Sequence, residues 1–332
     1  MQKIRVMIVG YGNVGRGVRL SLERNSDMEF AGVVSRSPER VKRELPGVPV
    51  FAISDVAGWK QTLRPDVAIL CGGSKNDLPE QGPEFAKQVN TVDSFDNHSR
   101  IPEYFASIDA AAKAAGHVSV ISTGWDPGIF SLERVLGNAF IPGARAYGFY
   151  GLGEKGGLSM GHSDALRTIP GVLDARQYTH AIPEAIERVR RGENPDFKPG
   201  DMHTRECFVV AEAGADREAI RKTILEMPGY FAPYKTTVNF VTQTELDEKF
   251  RGFPHDGLAI AAGETGDGNV ARVEYRCVWG SNPEATANVL VAHARAAARL
   301  AKEKRTGAFT ILDIPPAYFT ALGREELLKH WM

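Results

Sequence analysis

Two carboxylates end short apolar runs of this chain. Asp96 follows one run in Val92-Asp93-Ser94-Phe95-Asp96-Asn97-His98, and Asp126 follows another in Ile121-Ser122-Thr123-Gly124-Trp125-Asp126-Pro127-Gly128. If both runs are strands of one parallel sheet, the two acids meet at its carboxyl edge, where such sheets bind ligands. A carboxylate pair there can ligate a metal, exchange protons with a reacting group, or hold an ammonium. A metal would draw on His98 as a further ligand. An ammonium would fit better if cations elsewhere were ready for carboxylates.

The second half of the chain contains candidates for that task. Met160 and Gly161 lie in Ser159-Met160-Gly161-His162-Ser163-Asp164, Arg205 ends His203-Thr204-Arg205, and His255 lies in Phe253-Pro254-His255-Asp256-Gly257, with Thr179 and Asn282 apart from them. Each is expected in a turn or at a strand end. Singly, an Arg or His in such a place is most often a surface or structural residue. Only convergence would make them a site.

A third group points to a cofactor. Gly10-Tyr11-Gly12-Asn13-Val14-Gly15 is a G-x-G-x-x-G placed directly after the apolar run Ile4 to Val9 and opening a helical pattern. Gly10 permits a tight turn, Gly12 lets a pyrophosphate approach the helix N-terminus, and Gly15 allows the helix to pack closely on the sheet. Dinucleotide binding follows. Some twenty residues on, where an acid commonly takes the ribose hydroxyls of NAD, the chain reads Val33-Val34-Ser35-Arg36-Ser37. Ser35, Arg36 and Ser37 suit the 2′-phosphate of NADP, with the guanidinium also able to stack on adenine. The plain alternative is that Arg36 solvates a strand end. Cys71-Gly72-Gly73-Ser74 ends the next apolar run in small residues that would admit a cofactor.

These groups need a scaffold, and the first third of the sequence supplies one. Strands are expected at Ile4 to Val9, Phe30 to Ser35, Val67 to Cys71, Asn90 to Asp93 and Val118 to Ile121. Helices are expected from about Gly12 to Asn25, from Glu80 to Gln88, and along the face Ala110, Ala111, Ala114 and Ala115. Alternation of this kind predicts right-handed crossovers and a Rossmann-type parallel sheet. After about residue 145, alternating runs such as Cys207-Phe208-Val209-Val210 and Thr236 to Val241 predict a largely antiparallel sheet with one wet face. A helix over Glu284 to Glu303, striped by Val289, Leu290, Ala292, His293, Ala296, Ala297 and Leu300, is expected to return to the first domain. The fold class is therefore α/β: a dinucleotide-binding domain over 1–124 with a return at about 284–332, and an α+β substrate and dimerisation domain over 125–283.

Composition narrows the partners. The 332 residues carry 40 Lys and Arg against 41 Asp and Glu, which gives no electrostatic case for nucleic acid or an anionic membrane surface. No apolar run approaches the length of a membrane span, and the N-terminal run is too short for a signal segment. Cys71, Cys207 and Cys277 are odd in number and far apart, which reads as reduced thiols in a cytoplasmic protein with no metal site.

Taken together, "VGYGNVGRGV", "VDSFDNH", "STGWDPG", "GHSDALRTIPGV", "ECFVV" and "GFPHDG" resemble the meso-diaminopimelate dehydrogenase family over nearly the whole chain. The resemblance implies a cytoplasmic homodimer that uses NADP to deaminate the D-centre of meso-2,6-diaminopimelate oxidatively and reversibly, releasing ammonia, in diaminopimelate and lysine biosynthesis. Position by position, it implies that Asp96, Trp125 and Asp126 take the reacting centre; because hydride can leave only from a neutral amine, we assign the proton transfer to Asp126 with Asp96 as its assistant. Thr179, Arg205 and His255 would hold the distal carboxylate, with Tyr150, Met160, Gly161 and Asn282 lining the pocket. Cofactor contacts are implied at Gly10, Tyr11, Gly12, Asn13, Val14, Gly15, Ser35, Arg36, Ser37, Cys71, Gly72, Gly73, Ser74, Ser94, Phe95 and Thr123.

The resemblance also leads us to expect Gln at position 160 and Trp at position 150. Gly153-Glu154-Lys155-Gly156-Gly157 reads as an insertion. These departures imply a wider use of D-amino acids, so a broad-range D-amino-acid dehydrogenase is the nearest competitor. The glycine motif by itself is also compatible with a Rossmann oxidoreductase acting on a sugar, a semialdehyde or dihydrodipicolinate, and with a regulatory module that binds NADP without turnover.

Overall fold

A computed structural model describes residues 3–332. By packing, the chain divides into two compact units: residues through Leu132 together with Pro283–Met332, and Glu133–Asn282. The division falls at Leu132 rather than at residue 124, so Trp125 and Asp126 pack with the first unit.

The first unit is built on seven strands: β1 (Ile4–Val9), β2 (Met28–Ser35), β3 (Val50–Ala52), β4 (Val67–Leu70), β5 (Asn90–Asp93), β6 (Val118–Val120) and, from the far end of the chain, β14 (Gly307–Phe309). They pair in the order β14-β6-β5-β4-β1-β2-β3, and every pairing is parallel. A parallel sheet covered on both faces needs strands that are apolar on both sides. Residues Val67–Leu70 are accordingly all buried. Alternate residues serve two cores: Val6, Ile8, Val33 and Ile69 face one, and Met7, Val9, Ala68 and Leu70 the other.

The strands β3 and β14 are additions to the sequence reading, each three residues long and too short to show a pattern. Helix Asn13–Glu23 begins at Gly12, and helix Leu78–Ala86 starts two residues before the expected Glu80. The returning helix spans Asn282–Lys302. It is not striped as expected but buried nearly all round, with Val291, Ala294, Arg295 and Ala298 covered as well. Its small residues allow close approach: a Cβ on Gly17 of the first helix would lie 2.9 Å from that of Ala287. Arg295 survives burial because its guanidinium is fully engaged, by both Asp27 oxygens at 2.6 and 2.8 Å, Asn25 Oδ1 at 2.6 Å and the Phe319 carbonyl at 2.7 Å.

The second unit holds two small sheets. One contains β8 (Gly157–Leu158), β9 (Val172–Ala181), β10 (His203–Ala211) and β11 (Lys235–Phe240), in the order β11-β10-β9-β8. The other contains β7 (Ala146–Tyr150), β12 (His255–Gly266) and β13 (Asn269–Trp279), in the order β13-β12-β7. Pairing is antiparallel except between β10 and β11, which run parallel. The unit is thus largely antiparallel, as expected, and its parallel pair has a physical reason. Helix Arg217–Leu225 carries the chain back before β11 begins, and its Ile220 and Ile224 pack into the core with Cys207, Val209 and Val238.

Candidate functional site

In the first unit the site is made mostly of backbone. The strand order reverses between β4 and β2 around β1, which opens a crevice beyond the strand ends. Gly10 stands there with φ +89°, a conformation that L side chains rarely adopt, and a Cβ on Gly15 would come within 2.3 Å of the Gly10 carbonyl oxygen. Gly12 precedes the helix without any side-chain cap, and no atom lies within 4 Å of where its Cβ would be. Uncapped N–H groups facing open space are what a pyrophosphate requires. The residues present therefore fit a dinucleotide.

Several expected cofactor side chains point elsewhere. Tyr11 is buried in the core, and its carbonyl accepts from Arg40 Nη2 at 3.0 Å, a contact the sequence reading did not single out. Phe95 is buried and stacks on Tyr104 with ring centres 4.2 Å apart. The Thr123 hydroxyl and N–H both donate to the Asp93 carbonyl at 2.9 Å. Only the backbone of these residues is left to meet a ligand. Asn13 and Gly12 are exposed, and Val14 is half-buried.

At the end of β2, Ser35 Oγ accepts from the Ser37 N–H at 3.1 Å. Arg36 extends into solvent and makes a two-point pair with Asp77, at 2.7 Å from Nη1 to Oδ1 and 3.2 Å from Nη2 to Oδ2. Asp77 Oδ2 also accepts from the Gly73 N–H at 2.9 Å, which ties the Gly72-Gly73-Ser74 segment to the guanidinium. Desolvation pushes the Cys71 thiol up to about 12, away from the reactive thiolate form. None of the three cysteines is in a disulfide.

Asp96 and Asp126 follow the neighbouring parallel strands β5 and β6. The Asp96 N–H donates to Ser74 Oγ at 3.2 Å, which joins that loop to the Cys71–Ser74 loop, and Ser94 is half-buried beside it. "GWDPG" folds back on itself, with bridges from Gly124 and Trp125 to Gly128, a cis Asp126–Pro127 bond, and the Trp125 carbonyl accepting from Phe130 N–H at 2.9 Å. A Cβ on Gly128 would lie 1.7 Å from the Gly124 carbonyl oxygen, so the turn requires glycine. Trp125 is buried edge-on to Phe130 at 5.4 Å, and Asp126 is half-buried.

In the second unit the site is made of side chains, and β-register brings them together. Thr179 on β9 stands opposite Arg205 on β10, and Arg205 Nη1 donates to Thr179 Oγ1. The guanidinium lies 4.2 Å over the Tyr234 ring, and its buried Nε has no hydrogen-bond partner among the described residues. Among the described residues no carboxylate pairs with it. Partial burial lowers its pKa, because the charged form loses solvent that no anion replaces.

Three histidines surround this charge, and all are held neutral. Burial first, and then Arg205, push His162 and His203 down to about 3. His255, where burial again dominates, falls to about 4. His203 Nε2 accepts from the Tyr150 N–H at 3.0 Å, and its ring stacks on Tyr150 at 5.2 Å. Ser159 caps helix Met160–Arg167 and bonds His162 Nδ1 at 2.7 Å, placing Met160 and Gly161 in the first turn. Asn282 is buried, with Nδ2 donating to the Leu158 carbonyl at 3.3 Å. The Gly153–Gly157 segment is anchored by Asp256, whose carboxylate accepts from Leu152 and Gly153 N–H at 2.7 and 3.0 Å. Sequence reasoning missed Tyr234, which nothing local distinguishes, and gave no role to His162 and His203, whose signal was only proximity to the chosen residues.

Among the described residues no group of three or more His, Cys, Asp or Glu side chains could hold a metal ion. No helix there is long and apolar enough to cross a membrane.

Known proteins share this sequence and fold. Residues 124–281 match the Diaminopimelic acid dehydrogenase C-terminal domain family. The meso-diaminopimelate D-dehydrogenase of Acetivibrio thermocellus is 48% identical over 332 residues, covering 99% of this chain and 98% of that one. The solved structure of C. glutamicum DAP dehydrogenase in complex with DAP superposes with a TM-score of 0.93 at 42% identity, covering all of both chains. An engineered D-amino acid dehydrogenase bound to NADP+ does so with a TM-score of 0.89 at 41% identity and the same coverage. The chain belongs to the meso-diaminopimelate D-dehydrogenase family.

Proposed function

We propose that this protein catalyses the NADP-dependent, reversible oxidative deamination of meso-2,6-diaminopimelate at its D-centre. The products are L-2-amino-6-oxopimelate, ammonia and NADPH, and the reverse direction serves diaminopimelate and lysine biosynthesis in the cytoplasm. The observation that carries the reading is Arg205: a half-buried guanidinium that pairs with no carboxylate among the described residues, bonded to Thr179 and flanked by neutral histidines. A distal substrate carboxylate supplies the missing anion.

When bound, the nicotinamide accepts hydride from the amino-bearing carbon. The side chains prepare that carbon. An ammonium nitrogen has no lone pair to drive hydride departure, so a proton must leave first. Asp126, assisted by Asp96, holds the amine and takes that proton, and Trp125 walls the same end. Thr179, Arg205, His255 and Asn282 fix the other end, which sets register and chirality. Arg36, with Ser35 and Ser37, meets the 2′-phosphate by exchanging its pair with Asp77 for one with the phosphate. We assign a homodimer as well, for which the edge strand β13, with Val270 and Val278 exposed, supplies apolar surface.

The test is NADPH formation with NADP or NAD and with meso-, LL- and DD-diaminopimelate and D-alanine supplied separately. Turnover confined to NADP and the meso isomer is expected. Met160 favours a second reading, a broader D-amino-acid range, because a thioether replaces a polar contact at the distal end. Met160→Gln should then shift preference toward meso-diaminopimelate over D-alanine, and an unchanged ratio would remove that reading.

A further inference from the structure

Below the two loops that bear Asp96 and Asp126 lies a carboxylate that has no part in the reaction described above. Asp93, the last residue of β5, is fully buried. Its Oδ1 accepts from the Phe95 N–H at 3.0 Å, in its own loop, and from the Ser122 N–H at 3.1 Å, at the root of the other. Its Oδ2 accepts from the Tyr104 hydroxyl at 2.8 Å, and its carbonyl accepts both Thr123 donors. One residue thus holds the start of both active-edge loops.

The surroundings are shaped around it. Ser122 adopts φ +55°, unusual for a residue with a side chain, and in that conformation its N–H meets the carboxylate. Phe95 and Tyr104 stack, which fixes the ring that delivers the hydroxyl. Gly82, on helix Leu78–Ala86, leaves room for that hydroxyl: a Cβ there would lie 2.3 Å from it. Burial pushes the Asp93 carboxyl up to about 6 against the pull of all three hydrogen bonds. A fold retains a buried acid at such cost where the groups it joins must not move.

We infer that Asp93 and Tyr104 form a positioning pair that fixes the Phe95–Asp96 and Ser122–Asp126 segments relative to one another and so sets how the reacting amine is presented. The inference rests on the roles given to Asp96 and Asp126 above. Hydride transfer is sensitive to displacements well under an ångström, whereas binding of the distal carboxylate is not affected by this pair. The pair should therefore act on kcat and leave KM nearly alone.

Three variants test it. Tyr104→Phe removes one donor, and Gly82→Ala displaces the hydroxyl without altering either partner. Both should lower kcat for meso-diaminopimelate on the order of tenfold while KM changes less than about twofold. Asp93→Asn keeps Oδ1 for the two N–H groups and offers Nδ2 to the Tyr104 oxygen, so it should lose far less than Asp93→Ala. If Asn is as damaging as Ala, the carboxylate carries a proton and the positioning role is overturned. It is overturned equally if Tyr104→Phe and Gly82→Ala leave kcat unchanged per folded enzyme. Hydrogen exchange at the Phe95 and Ser122 amides reads the pair without turnover: protection should fall on the order of tenfold in Tyr104→Phe. Unchanged protection overturns the pair itself, whereas a wild-type enzyme inactive on meso-diaminopimelate with lowered protection in the variant overturns only the functional reading.

Discussion

The two units solve recognition in opposite ways. The first offers a ligand its backbone: the uncapped helix at Gly12, the turn at Gly10, and loops whose Tyr11, Phe95 and Thr123 side chains are turned into the protein. The second offers side chains, and it withdraws a cation and three neutral histidines partly or wholly from water to do so. A backbone cradle costs little to keep empty, because N–H groups at a helix start can turn to water. A guanidinium drawn partly out of water is costly until its anion arrives. The first arrangement suits a cofactor common to many enzymes, and the second suits choice among similar amino acids.

This contrast can be broken by substitution. Arg205→Met should raise KM for meso-diaminopimelate at least about a hundredfold, the loss of roughly 3 kcal/mol expected for a charged hydrogen-bonding partner. Its cofactor affinity should be unchanged in a binding titration. An unaltered KM would mean that the distal carboxylate lies elsewhere. Gly12→Ala should weaken NADP binding on the order of tenfold, because the new methyl enters space the fold leaves open. Its melting temperature should stay near that of the wild type, and parallel losses in both measurements would make Gly12 a folding residue instead.

The histidines sharpen the contrast through pH. Each binds its proton more weakly folded than unfolded, from the ordinary 6.5 down to about 4 for His255 and about 3 for His162 and His203. Their contribution to stability is therefore present above 6.5 and is lost as pH falls below it, by up to about 1.4 kcal/mol per pH unit for each histidine. Denaturant melts between neutral and mildly acidic pH should show the second unit failing first. A flat profile would mean that folding does not shift these rings from their ordinary value. Smallest of all is Tyr11→Phe, expected to change NADP affinity less than about twofold because the ring packs in the core. A larger loss would show that its hydroxyl meets the cofactor.

The same division governs how much was legible in the sequence. The parallel sheet and its glycine turn are local facts: apolar runs of four to six residues at β4 and β1, then Gly10, Gly12 and Gly15 at fixed spacing. The strands β3 and β14 escaped because three residues carry no period. The returning helix read as striped because alanine is ambiguous between a packed and an exposed face, and Gly17 meeting Ala287 depends on a residue far away in the chain. In the second unit, the pairing of Thr179 with Arg205 depends on the register of β9 and β10, and Tyr234 under the guanidinium on a loop no local pattern announces. Asp93 stands three residues before Asp96 in the same motif, and nothing in the local pattern separates their roles. Burial distinguishes the two acids, and burial is a tertiary fact.

The return of the chain to the first unit has a consequence for the order in which the protein is made. Strand β14 and the residues Ala287, Leu290, Val291, Ala294 and Ala297 complete one edge and one core of a sheet whose other strands were all synthesised by residue 120. While the second unit emerges from the ribosome, the nascent sheet keeps an open edge at β6 and an uncovered apolar face. The later-made unit can finish folding before the earlier-made one, and through that interval the β6 edge is the chain's exposed pairing surface.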